Sequence, residues 1–85
     1  MKHAREDYNR IQDPLGLIPD DEPVFLLRGQ DKLAPDLVRT WAIQLFAAGG
    51  DPVMAGMALE QSEKMQKWQE EHKAKLPDLK MHIVK

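Results

Sequence analysis

The junction Gly49-Gly50-Asp51-Pro52 constrains this chain more than any other feature. A glycine accepts the left-handed conformation that often closes a helix, an aspartate caps the next one, and a proline at the first helical position loses no hydrogen bond. One helix therefore ends here and another begins. Before the junction, Pro35 and Asp36 mark a helix start, and Leu37, Val38, Trp41, Ala42, Leu45 and Phe46 recur at spacings of three and four. The pattern predicts helices over 35–48 and 52–73, folded back on each other as an antiparallel αα-hairpin through a very tight loop.

The two arms are unequal. At 1.5 Å per residue the second would run roughly 33 Å and the first about 21 Å, so about 12 Å must overhang. Along the longer arm, Met54, Ala58, Gln61, Met65 and Trp68 alternate by threes and fours, which predicts the seam that faces a neighbour. Met65 and Trp68 fall on the overhang, and leaving both in water would forgo about 3–5 kcal/mol of burial. Either the N-terminal segment folds over them or a second chain does. A homo-oligomer is expected, with Met54, Ala58, Met65 and Trp68 as its interface. The opposite face carries Glu60 with Lys64, Glu63 with Lys67 and Glu71 with Lys75, pairs that read as a solvated surface.

The ends are less regular. Residues 1–13 hold Tyr8 and Ile11 at a spacing of three, which suits a short helix stopped by Pro14. Asp13-Pro14-Leu15-Gly16 reads as a turn, followed by extended, proline-punctuated chain through the acidic Asp20-Asp21-Glu22 cluster. Val24-Phe25-Leu26-Leu27 fits a buried strand or a short helix capped by Asp21 and closed by Gly29. The strand is preferred because Leu79, Met81 and Ile83 alternate with Lys80, His82 and Val84, so that strands near 24–28 and 79–84 would give each other a partner. The expected architecture is one small domain over 1–85, mainly α with a small α+β variant open, with 1–13 as N-terminal segment and 76–85 as C-terminal tail.

A chain of 85 residues buries only about 60–65 % of the surface it exposes when unfolded, which leaves a monomer marginal. It has no cysteine, so disulfides and thiolate metal sites are excluded, and it has no run of membrane-spanning length and no apolar signal region. Twelve basic and fourteen acidic residues give a net charge of −2, a poor balance for gripping duplex nucleic acid. The expectation is a soluble protein of the cytoplasm, with no membrane and no duplex partner.

Catalytic signals are missing. His3, His72 and His82 share no ligand spacing, and Thr40 and Ser62 sit in no nucleophile setting, so neither a metal, a cofactor nor an enzyme is expected. The glycines make no phosphate loop, since Asp51 follows Gly49-Gly50 and would repel an anion. A phosphate-bearing ligand would need arginines instead. Arg10, flanked by Tyr8 and Asn9, and Arg28, followed by Gln30, Asp31 and Lys32, are the candidates, with Tyr8 and Trp41 as stacking surfaces and Asp31 or Gln30 at a base edge. The alternative for the same residues is structural: Arg28 pairs with Asp13 or Asp31, and the aromatic rings pack.

The stretch Asp7-Tyr8-Asn9-Arg10-Ile11-Gln12-Asp13-Pro14, the run from Ile18-Pro19-Asp20 through Leu27-Arg28-Gly29-Gln30-Asp31, and Leu33-Ala34-Pro35 resemble a group of short proteins of bacteriophages and prophages. The resemblance covers the first forty or so residues and carries no established activity. It implies a small accessory phage protein acting in the cytoplasm of a bacterial host. Two expectations follow: a non-enzymatic protein that sequesters a nucleotide-like defence signal in an oligomer, or an inhibitor or adaptor that binds a host protein through its exposed helix face. A virion structural role is the third.

Overall fold

The computed structural model describes residues 13–78. Two helices, α1 over Ala34–Ala47 and α2 over Pro52–Glu71, pack against each other as an antiparallel hairpin, a mainly α fold. The tight connection is built as the junction residues require. The amide of Gly49 donates to the Phe46 carbonyl and that of Gly50 to the Leu45 carbonyl, the paired bonds that close a helix through a left-handed residue, and Gly49 has φ +82°. Asp51 then accepts from the Val53 amide at 2.9 Å, and Pro52 opens α2.

The seam between the helices differs from the expected one. Ala42 of α1 faces inward with Ala34 and Pro35, while Ala55, Ala58 and Ser62 are the buried positions of α2. On α2 the sequence of Ala55, Ala58, Ser62, half-buried Met65 and half-buried Gln69 shares only Ala58 and Met65 with the predicted stripe; Met54, Gln61 and Trp68 are exposed. On α1, Leu37, Trp41 and Phe46 of the predicted stripe are also exposed, and Val38 and Leu45 half-buried. The reason is steric. Alanine and serine let two helices approach toward the short end of the usual 8–10 Å range, roughly 8 Å, and at that separation bulky side chains fit only on the flanks. Among the described residues no large apolar side chain is fully buried; the largest one below 2 % exposure is Ser62, whose hydroxyl donates to the Leu59 carbonyl at 2.6 Å.

The longer arm overhangs by six residues, about 9 Å, and its own chain meets part of it. Gly29 lies on Met65, with the position of a Cβ there 3.8 Å from the Met65 Cγ. α2 stops at Glu71, short of the expected 73, because His72 turns extended (φ −136°, ψ 170°) and the chain doubles back. Lys75 then pairs with Asp31 in a parallel bridge, its amide donating to the Gln30 carbonyl and its carbonyl accepting from the Lys32 amide, both at 3.0 Å. Lys75 is thereby carried past the helix end and its Nζ reaches Asp78 at 3.2 Å, so the expected Glu71–Lys75 helix pair does not exist. The Glu60, Lys64, Glu63 and Lys67 side chains also make no ion pair among the described residues.

Residues 24–28 form neither a continuous strand nor a helix: Val24 makes an isolated β-bridge, Phe25 and Leu26 are exposed, and the segment runs into a turn in which the Asp31 amide donates to the Arg28 carbonyl at 3.0 Å. The polar turn that follows, residues 29–32, finds its hydrogen bonds on Gln69 of α2 and on residue 75. The expected strand at 79–84 and the helix within 1–13, apart from Asp13, lie outside the described residues. The Asp13 turn forms as read. Gly16 donates to the Asp13 carbonyl at 3.0 Å with φ +63°, and the Asp13 carboxylate takes the amides of Leu17 and Ile18 at 3.1 and 3.0 Å. Downstream, the chain expected to be extended makes a second turn, with the Glu22 amide on the Pro19 carbonyl at 3.1 Å.

Candidate functional site

The polar loop of Arg28, Gln30, Asp31 and Lys32 is held in place by α2. Gln69 sits at the buried face of the overhang, where an apolar residue would be expected, and its Nε2 donates to two loop carbonyls, Gly29 at 2.9 Å and Asp31 at 2.7 Å. A side-chain amide with two donors suits a loop that brings two carbonyls together without a partner strand. The Asp31 carboxylate is engaged locally: Oδ1 accepts from the Leu33 amide at 2.8 Å, holding the approach to α1, whose own N-cap residue Leu33 offers no side-chain acceptor. Gln30 and Asp31 are half-buried, while Arg28 and Lys32 are exposed. Of the other residues proposed for a ligand, Tyr8, Asn9 and Arg10 lie outside the described residues, and Trp41 stands on the flank of α1 at 47 % exposure.

The small-residue seam has a second product. On one flank of the hairpin, next to the tight turn, Ile43 and Phe46 of α1 and Leu59 of α2 rise on either side of a floor made by Ala42 and Ala55, leaving an open groove of about 360 Å³. Pro52 and Gly56 complete its α2 wall, and every lining residue is uncharged. Gly56 has nothing within 4 Å of where a Cβ would stand, so the wall is lowest there. Phe46 is 66 % and Ile43 58 % exposed. Neither Ile43 nor Leu59 entered the predicted site; the signal that would have found them is the shift of the seam by one residue, which turns them from solvent positions into groove walls.

The opposite flank carries Leu37 and Trp41. Trp41 lies about 100° round α1 from Ala42, on the side away from Ile43. Of the four predicted interface residues, Ala58 is buried within the hairpin and Met65 is half-buried under Gly29, whereas Met54 and Trp68 keep exposed surface. Trp68 is not bare: the His72 ring stacks on it with centroids 4.1 Å apart and planes within 9°, and His72 Nδ1 lies 2.9 Å from the Trp68 carbonyl.

Among the described residues, no three His, Asp or Glu side chains gather as a metal would require, and no helix is long and apolar enough to cross a membrane. The fold and the groove thus define a small two-helix hairpin with an apolar flank. In comparison with known proteins, the chain matches no protein-family model, no curated protein and no solved structure.

Proposed function

We propose that this protein is a non-enzymatic interaction module that binds a partner protein by taking an amphipathic helix into the groove between Ile43 and Phe46 on one side and Leu59 on the other. The observation that carries this reading is the hairpin's apolar distribution: alanines and a serine lie inside, and three large side chains, Ile43, Phe46 and Leu59, line an open furrow. Exposing them costs a small domain stability it can ill spare, and a third helix laid between two antiparallel ones is the packing that recovers it. The resemblance to short phage proteins supports a host protein as the class of partner.

The nucleotide reading draws less support from the described residues. Arg10 and Tyr8 lie outside them, and the Asp31 oxygen expected at a base edge holds the Leu33 amide. Binding of a fluorescent amphipathic peptide by anisotropy, compared with a scrambled peptide of the same composition, tests the groove reading. Wild-type protein should prefer the amphipathic order, and Phe46→Ser should lose the preference with its helix content unchanged. Equal affinity for the two peptides would sink the proposal.

A further inference from the structure

We infer that the helix taken by this groove is basic along the half that lies farthest from the tight turn. The inference rests on the groove reading and adds the partner's charge. The α2 wall passes through Gly56 and Leu59 and, by further steps of four, three and four, continues through Glu63, Gln66 and Glu70, all exposed. Glu63 and Glu70 make no ion pair among the described residues. The α1 wall continues from Phe46 and Ile43 through Arg39 to Asp36, and these two neutralise each other, with Arg39 Nη1 on Asp36 Oδ1 at 2.8 Å. Lys67 is the nearest cation on α2; it stands about 40° further round the helix than Glu63 and about 20° beyond Gly56, on the outer edge of this wall.

One face therefore changes character along its length, apolar beside the turn and anionic toward the open end of the hairpin. From Gly56 to Glu70 is about 21 Å, or four helical turns. A helix lying there with apolar residues at one end and lysines or arginines at the other satisfies both halves. A second copy of this chain laid on the same edge would set its own Glu63 and Glu70 against these carboxylates, so it is the poorer occupant.

The test uses three synthetic peptides of about 18 residues, roughly 27 Å as helices, with one shared apolar stripe and with lysine, glutamine or glutamate at the distal polar positions. At low salt the lysine peptide should bind at least about tenfold more tightly than the glutamine peptide, and the gain should fade as ionic strength rises. Glu63→Gln with Glu70→Gln, which preserves shape, should erase that gain while leaving the glutamine peptide's affinity unchanged. Gly56→Leu should block all three peptides, with circular dichroism confirming an intact hairpin. Equal binding of the lysine and glutamine peptides, both blocked by Gly56→Leu, would overturn the charge inference and leave the groove standing. No binding by any peptide would overturn both. Sedimentation showing a dimer that Gly56→Leu dissociates would assign the groove to a second copy and overturn the basic partner.

Discussion

Gln69 holds Asp31 across 38 residues of sequence, its side-chain amide donating to the Asp31 carbonyl at 2.7 Å and to the Gly29 carbonyl at 2.9 Å. This one side chain ties the approach to α1 onto the overhang of α2. Without it the part-buried Gly29 carbonyl would lose its donor, and the Asp31 carbonyl would keep only the Ala34 amide at 3.0 Å. Gln69→Leu should therefore cost about 1–3 kcal/mol, read as a lowered urea midpoint, and amide exchange at residues 31–34 should quicken more than exchange within α2.

The turn glycines are not equivalent. A Cβ at Gly50 would collide with the Leu45 side chain and come within 2.9 Å of the Leu45 carbonyl oxygen, whereas Gly49 has open space around it but φ +82°. Gly49→Asn should be tolerated better than Gly49→Ala, since asparagine enters the left-handed region more readily. Gly50→Ala should destabilise through the collision, by about 1–3 kcal/mol. Thermal unfolding of the three variants ranks them; a Gly50→Ala protein as stable as wild type would contradict the packing described.

At Ser62 the pocket is small and the hydroxyl already bonded to its own helix, so removing it leaves no distant group unsatisfied. Ser62→Ala should change stability by less than about 0.5 kcal/mol, with the better helix propensity of alanine offsetting the lost bond. Ser62→Leu should separate the helices and cost about 1–3 kcal/mol. Chemical denaturation distinguishes the two.

Gly56 offers the opposite case, a helix-interior glycine with open space where a side chain would go. Gly56→Ala should stabilise the isolated protein by about 0.5–1 kcal/mol. The same variant should weaken binding of an amphipathic peptide, because the low point of the groove wall is filled. A gain in melting temperature together with lost binding is the signature expected; unchanged binding would mean that the groove is not the docking surface.

The sequence by itself determined the hairpin. Gly49, Gly50, Asp51 and Pro52 act through backbone conformation and local hydrogen bonds, which depend on immediate neighbours, so both helices and their antiparallel connection were legible to within two residues. The Asp13-Pro14-Leu15-Gly16 turn was legible for the same reason. Tertiary structure decided how far round each helix the seam lies, above all on α2, where Ala55, Ser62 and Gln69 stand one residue on from the expected Met54, Gln61 and Trp68. Hydrophobic periodicity nominated Ala42 and Ala58, which the seam keeps, together with Leu37, Trp41, Phe46, Met54 and Trp68; close approach of two helices selects small residues, so Ala55 and Ser62 joined the seam and those large side chains fell on the flanks. That choice opened the groove at Ile43, Phe46 and Leu59. It also brought Gly29 onto Met65 and Gln69 onto Asp31, contacts between residues far apart in the chain that no local pattern encodes.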